Sequence, residues 1–435
     1  MFLKYVSPIQ KLLKSANEIE SVVINGWVKK EHKKGRWSFL HISDGVSNDT
    51  IQVVVPKDVG HNLGIGSAIT VSGKWLKSSG RQQSMELIAN KCRVWSKDEG
   101  NLNVSSPNQI RSQLHLRSKH PSYAALLRIR STLTSLAHRF FNERGYLHVD
   151  TPLISSNDCE GAGEAFIVKS ANDDDFFGPE NKFLPVSGQL HLEAMISSFP
   201  KVYTFNAAFR AEKSLSRQHL AEFRMLEAEI GFVDNVDTLC NEVDDFMKYI
   251  IKESNILTPE KTLLNFFNDE KTSEFQNSLI DGCFSNKPFP RLTYDEAVKM
   301  LESTGQIVTN GFNKAQELQL VSMCNSPLFI TNFPSEQKPF YMKRSEDGKH
   351  ALCFDFLAPF VGELVGGSVR EDDVHKMQQR MNSPALQWYY DLRSKGTPQS
   401  GGFGIGFERL IQTLFGVCNI KDTTPFPRWY KHCDC

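Results

Sequence analysis

The apolar positions from residue 22 onward come in short runs. VVINGWV, WSFLHI, IQVVV, AITVSGKW and MELIA follow one another between Val22 and Ala89, punctuated by turns carrying SDG, DVG and SSG. Runs of this length between glycine-bearing turns read as strands. Five of them in so short a span predict a small closed barrel of the OB type over residues 21–97, an architecture that offers one face to nucleic acid. Residues 98–120 are polar and turn-rich and read as a linker. The period then changes: Ser122 caps a long helix with Leu126, Ile129, Leu133, Leu136 and Phe140 on one face, stopped by Gly145. A strand, YLHV, and Pro152 come next. From Phe205 to Ile230 two alternating apolar segments flank a polar, basic loop, the pattern of an antiparallel hairpin. Helices are predicted over Asp237–Ser254 and Tyr294–Glu302, with a polar insertion of no clear period near 255–290. LFITNF, FYM, LCFDFL and GELVGGSV return to strands, and SGGFGIGFERLIQTLFG runs a glycine-rich strand into a helix.

Composition narrows this picture. A chain of 435 residues exceeds one ordinary core, so two or three domains are expected. A formal charge of +0 means that any nucleic acid must be held by a local patch. No apolar run is long enough to span a membrane. Nine cysteines, an odd number without CxxC spacing, argue against a disulfide framework and for a reducing compartment. His432, Cys433 and Cys435 could hold a soft metal, although three residues at a chain end are more often inert. The first seventeen residues carry three lysines and no acid, the composition of a basic targeting segment over 1–20, short of the Arg and Ser of a transit peptide.

Candidate chemistry gathers at four places. In the central hairpin, Arg210 and Glu212 are expected at the end of the first strand, pointing to one face. Arg217 and His219 lie in the loop, and Glu222 and Phe223 open the returning strand. Guanidinium suits phosphate oxygens and an aromatic face suits a base; an ordinary charged hairpin with solvated ion pairs accounts for the same residues. Asp355 and Glu363 stand among apolar strands, either as hydrogen-bonded structure or as a hard-cation site. The glycines before Arg409 permit close approach of a ligand, and the arginine can take a terminal phosphate. In KKEHKKGRW, Lys29, Lys30, Lys33, Lys34 and Arg36 sit beside Trp37 and Phe39, a mixture suited to single-stranded RNA, or to a solvated charge run over core aromatics.

FRAE followed by a loop and HLAEF, together with GFGIGFERL, resembles motifs 2 and 3 of the class II aminoacyl-tRNA synthetases. The long helix, strand and Pro152 resemble motif 1, the dimer-forming element. The three fall at about 126–152, 205–230 and 401–416 of a catalytic domain over 121–435. The chain is similar to the aspartate-type subgroup from Val22 to Arg428, and CEGAGEAF, VSGQLHLE and GELVGGSVRE most resemble its asparaginyl members. IKDTTPFPR and the compact length resemble their mitochondrial form. The resemblance implies an α+β chain: an OB-fold barrel that reads the anticodon, and an antiparallel sheet flanked by helices that carries ATP and Mg²⁺.

Roles follow from the same resemblance. Arg210 would meet the α-phosphate and the amino-acid carboxylate, His219 and Arg409 the outer phosphates, and Phe223 the adenine; Arg210 and Arg409 would be catalytic. Glu212, Arg217, Leu220, Gly404 and Gly406 would complete the ATP site, and Asp355 and Glu363 would hold Mg²⁺. Glu160, Gln189, Glu227 and Arg370 would contact the amino acid, and Phe39 and Gln52 the anticodon. Two positions depart from related patterns. The family loop usually has Arg directly before the His, where this chain has Gln218 after Arg217, which leaves open which cation reaches the phosphates. Aspartate enzymes usually carry a lysine where this chain has Leu192. The implied activity is ligation of asparagine to tRNA(Asn) through an asparaginyl adenylate, ATP going to AMP and pyrophosphate. The implied enzyme is a homodimer of the mitochondrial matrix or cytoplasm, with no membrane partner. An aspartyl or non-discriminating enzyme is the nearer alternative; an asparagine synthetase-like adenylating enzyme, which would have no anticodon barrel, is the farther one.

Overall fold

Alternation of buried and exposed residues closes the first five strands into a barrel. β1 (Ile19–Lys34), β2 (Trp37–Ser43), β3 (Ile51–Pro56), β4 (Ala68–Lys77) and β5 (Met85–Ser96) are joined in the order β1-β2-β3-β5-β4. Val28, Leu40, Ile42, Val53, Val55, Val71 and Leu87 fill the inside. The computed structural model describes residues 8–60, 63–80, 83–98, 106–156, 165–173, 175–254, 258–268, 287–381 and 383–435. Ile9 and Leu12, on the helix Pro8–Leu13, are buried in the barrel core. The barrel unit therefore includes part of the stretch read as a targeting segment, and cleavage after residue 20 would remove core side chains.

The chain divides into two compact units, Met1–Ile129 with Pro259–Phe266, and Arg130–Thr258 with Phe267–Cys435. The division lies inside the helix Pro121–Glu143 rather than at residue 121. Arg128, on the first half of that helix, donates to the Gly45 carbonyl at 3.2 Å and stands 3.6 Å from Glu260, which ties these residues to the barrel unit. The expected linker is also structured where it is described: Pro107–Arg111 is helical, and Ile110 and Arg117 are buried.

The second unit is built on an eight-stranded sheet. Its members are β6 (Leu147–His148), β9 (Lys201–Phe209), β10 (Glu222–Gly231), β11 (Arg291–Thr293), β12 (Leu328–Thr331), β13 (Cys353–Ala358), β14 (Gly362–Val369) and β15 (Ser400–Gly406), in the order β11-β12-β13-β14-β15-β10-β9-β6. A separate pair joins β7 (Ile167–Val168) to β8 (Lys182–Phe183). The six central strands pair antiparallel, but each edge strand is parallel to its neighbour, β11 to β12 and β6 to β9. The sheet is thus mixed, because both edges are reached through helical crossovers, which parallel pairing needs. Helix Val236–Ser254 buries Leu239, Val243, Phe246, Met247 and Ile250, and Tyr294–Glu302 starts on a Thr293/Glu296 capping box. The FYM run forms no strand. Only Met342 makes a bridge, to Arg370, and the Phe340 and Met342 carbonyls accept from the Arg380 guanidinium instead of from a neighbouring strand. Among the described residues no helix is long and apolar enough to cross a membrane.

Candidate active site and nucleic-acid face

Period-two alternation along β10 sends Phe223, Met225, Glu227 and Glu229 to one face of the sheet. Beside it β15 offers only glycines there: Gly402, Gly404 and Gly406 lie opposite Glu229, Glu227 and Met225. On the next strand Gly366 pairs with Gly404. The result is a floor of bare backbone under a cavity of about 550 Å³. At Gly402 an added Cβ would stand 2.0 Å from Glu229 Oε2 and 2.7 Å from Arg370 Nη2, so only glycine leaves room for that ion pair. At Gly404 and Gly406 the nearest atom would be 3.7 Å or more away. No neighbouring atom requires glycine at these two positions, and their bare backbone leaves the floor of the cavity open.

One end of the cavity is cationic. Arg210 lies just past β9, its guanidinium 5.6 Å over the Phe223 ring. It and Glu212 belong to the loop and not to the strand end, because β9 stops at Phe209; both still line the cavity. Arg409 comes from the first turn of helix Phe407–Phe415 and donates to the Glu363 carbonyl at 3.0 Å. That helix is fixed by Glu408, which accepts from the Arg224 N–H at 2.9 Å and forms an ion pair with Arg130 at 2.8 Å. His219 stands 3.5 Å from Glu212. Burial lowers its pKa, Glu212 opposes this, and Arg409, Lys314 and Arg210 reinforce it. Leu220 also lines the site, but Arg217 does not. Its backbone carbonyl is held by the Ile420 N–H at 2.9 Å, its side chain is exposed, and Gln218 takes the inward position.

On the neighbouring strands Asp355 and Glu363 face the same cavity. Lys338 donates to both Asp355 oxygens, at 3.2 and 3.1 Å. Burial raises the Asp355 carboxyl to about 6, Lys338 pulling it down and Glu363 pushing it up.

The other end is a buried mesh of carboxylates and guanidiniums. Glu227 accepts from Ser187 Oγ at 2.5 Å and from the Gly188 N–H at 2.9 Å. Burial raises its pKa, while those two bonds, Arg210 and Arg370 favour the anion. Arg370 gives Nη2 to Glu229 at 2.8 Å and Nη1 to Ser368 at 2.9 Å. Burial lifts Glu229 to about 7 in spite of Arg370. Gln189 donates to Glu193 at 3.0 Å, and Glu193 also accepts from Tyr389 at 2.7 Å and Arg393 at 2.6 Å. Leu192 is buried and lines the cavity. Glu160 lies outside the described residues. Glu193, Glu229, Tyr389 and Arg393 were not among the residues singled out from the sequence. Glu193 is one helical turn beyond Gln189 and Glu229 is two strand positions beyond Glu227, so both carried a periodic signal. Arg393 reaches Glu193 across 200 residues and left none.

On the barrel, Leu40 and Ile42 point inward, which leaves Trp37, Phe39 and His41 on the outer wall. Register places Lys34, His32 and Lys30 opposite these three. Gln52 lies opposite His41 and donates to Glu86 at 2.8 Å, and Ser78 holds the same Glu86 oxygen at 2.9 Å. Rings, cations and an oriented amide on one wall suit unstacked bases and their phosphates.

Two family models match the chain: tRNA synthetases class II (D, K and N) over residues 107–430, and an OB-fold nucleic acid binding domain over residues 22–95. An asparaginyl-tRNA synthetase of Mus musculus is 38% identical over 440 residues, covering 95% of this chain and 91% of that protein. A probable mitochondrial asparagine--tRNA ligase of Dictyostelium discoideum is 36% identical, covering 99% and 98%. The crystal structure of asparaginyl-tRNA synthetase from Pyrococcus horikoshii, complexed with asparaginyl-adenylate, superposes with a TM-score of 0.82 at 29% identity, covering 98% of each chain. With family model, relatives and fold in agreement over nearly its whole length, the chain belongs to the class II tRNA synthetases, in the D, K and N group and among its asparaginyl-tRNA synthetases.

Proposed function

We propose that this chain activates asparagine with ATP, forming asparaginyl adenylate and releasing pyrophosphate, and then passes the asparaginyl group to the terminal adenosine hydroxyl of tRNA(Asn), releasing AMP. The observation that carries this reading is one continuous cavity with Arg210, His219 and Arg409 at one end and the Glu227 and Arg370 mesh at the other. The substrate carboxylate attacks the α-phosphorus in line, and pyrophosphate departs toward Arg409 and His219. Positioning and neutralisation of charge carry such a step, so no nucleophilic side chain is needed. Arg210, near both the Phe223 ring and Glu227, is placed to join the adenylate's two halves: the ring takes the adenine, and the guanidinium takes the α-phosphate and the attacking carboxylate. Gln189 and Arg370 address the amino-acid side, each held by a buried carboxylate.

Asp355 and Glu363 fit a hard cation. A Cβ on Gly366 would stand 3.2 Å from Glu363 Oε1 and 3.8 Å from Asp355 Oδ1, so their oxygens converge over bare backbone. Among the described residues no group of three His, Cys, Asp or Glu could hold a metal. Phosphate oxygens and water would then complete the set, as Mg²⁺ prefers. Bound there, Mg²⁺ would neutralise charge on the departing pyrophosphate.

A homodimer is supported by the exposed Leu147, Leu153 and Ile154 at and just after the edge strand β6, an apolar rim on the motif 1 segment. Mitochondrial location is supported by the name of the Dictyostelium relative and by the lysines of the first seventeen residues; a cleaved segment would have to end before Pro8, ahead of the barrel core.

An amino-acid panel in pyrophosphate exchange with ATP tests the reaction. Asparagine is expected to support exchange and tRNA(Asn) to become charged; exchange with another amino acid alone would overturn the proposal. The barrel face has its own test. Phe39→Ala is expected to weaken tRNA charging by roughly tenfold, since stacking on an aromatic is worth about 1–3 kcal/mol per base, and to leave tRNA-independent exchange unchanged. Equal losses in both assays would make Phe39 a packing residue.

A further inference from the structure

We infer that Lys314, held behind Gln218, is a phosphate-binding residue for the outer phosphates of ATP, supplying the cation that the loop lacks directly before His219. The inference rests on the proposed activation reaction. Lys314 is the first residue of the helix Lys314–Cys324, directly after its Asn313 N-cap. A cation is disfavoured there, because the start of a helix is the positive end of its dipole. Its stem packs against Gly362, where an added Cβ would lie 3.2 Å from Lys314 Cδ. The ammonium donates to Gln218 Oε1 at 2.5 Å, an acceptor without charge. Glu317 and Glu363 favour its charged form, but burial and Arg409 oppose it. Stability alone gives little reason to keep a half-buried lysine at such a place.

The surroundings give a reason. His219 feels Lys314 together with Arg409 and Arg210, so four basic groups converge on the region around Gln218. Gln218 lines the cavity and Arg217 does not. The amide is held at both ends, by Lys314 on Oε1 and through Nε2 on the Phe360 carbonyl at 3.0 Å. Lys314 does not itself line the cavity, so the assignment requires the Gln218 amide to turn aside and release the ammonium toward the phosphates. A polyphosphate is the ligand class that relieves mutual repulsion among these cations and accepts several charge-assisted bonds at once.

The test uses the whole chain with Mg²⁺ and pyrophosphate as probe. Lys314→Met is expected to weaken pyrophosphate binding by about ten- to a hundredfold in calorimetry, the scale of one lost charge-assisted bond, and to raise KM for ATP by a similar factor. Binding of a sulfamoyl analogue of asparaginyl adenylate, which has no outer phosphates, is expected to stay within about twofold of the parent. The double variant Lys314→Met with Gln218→Arg is expected to recover most of the pyrophosphate affinity. Unchanged pyrophosphate binding in Lys314→Met, or an equal loss for the analogue, would overturn the assignment. If Lys314→Met does not fold, Lys314→Arg and the double variant decide, and loss of pyrophosphate binding in both sinks it. Pyrophosphate binding needs no amino acid, so a parent that fails to exchange with asparagine would defeat the proposed reaction and leave the Lys314 readout intact.

Discussion

Arg210→Ala is expected to lower asparagine-dependent pyrophosphate exchange by at least about a hundred- to a thousandfold, the cost typical of removing one preorganised group aimed at charge that develops in the transition state. The side chain projects from a loop, so deleting it opens no cavity in the apolar core. The backbone around it is held independently, since the Arg210 N–H donates to the Ala221 carbonyl at 3.0 Å and the Ala221 N–H to the Arg428 carbonyl at 2.7 Å. Thermal unfolding should therefore shift little while exchange collapses. Arg210→Lys should recover only part of the rate, because an ammonium cannot address a phosphate and a carboxylate with a planar fork. Exchange by Arg210→Ala within a few-fold of the parent would remove Arg210 from the phosphate site and give its charge a structural role beside Glu227.

Local patterns made much of this molecule legible, and long-range contacts account for the rest. The five barrel strands, the β9–β10 hairpin and the glycine strand before Arg409 are each set by alternation within one short segment and are present in the expected order, although β1 runs on through the lysine segment to Lys34 and β5 on to Ser96. The helix Lys314–Cys324 was missed because its inward face is thinly apolar: Leu320 and Val321 are buried, but so is Gln316. FYM reads as a strand, but the Arg380 guanidinium, some forty residues on, takes the Phe340 and Met342 carbonyls and leaves only the Tyr341 carbonyl to a backbone N–H, that of Glu371. Parallel edges are likewise invisible in the runs themselves, since they depend on which crossover returns to which strand. Within the site, residue identities were readable but orientations were not. Which loop residue turns inward was open in the sequence: Ile420 and Gln412 hold the Arg217 carbonyl, and Phe360 and Lys314 hold the Gln218 amide, all from distant segments of the chain.

Asparagine is expected to be activated in preference to aspartate by at least about a hundredfold in kcat/KM, the scale that a buried polar mismatch supports. Leu192, on the helix Gln189–Met195, is buried and lines the cavity where a lysine would give aspartate a charged partner. The cations already there have their charge offset by buried carboxylates, although a guanidinium with five N–H groups keeps donors for a neutral acceptor. Arg370 gives Nε and Nη2 to Glu229 and Nη1 to Ser368, and Arg393 is held by Glu193. Glu227 adds a buried carboxylate on the same wall, so an aspartate side chain would meet like charge. Such a substrate would forgo a charge-assisted bond worth about 1.5–3 kcal/mol and still be desolvated. Each 1.36 kcal/mol is roughly a factor of ten, so the lost bond and the repulsion together reach the stated preference. A neutral amide avoids both terms: Arg370 can donate to its oxygen, and a carboxylate such as Glu227 can accept from its nitrogen. Glu227→Gln should narrow the gap by removing the repulsion while keeping the shape, and Leu192→Lys should narrow it from the other side by restoring a cation. Pyrophosphate exchange at comparable rates with the two amino acids in the parent would defeat the discrimination argued here and make the enzyme one that accepts both.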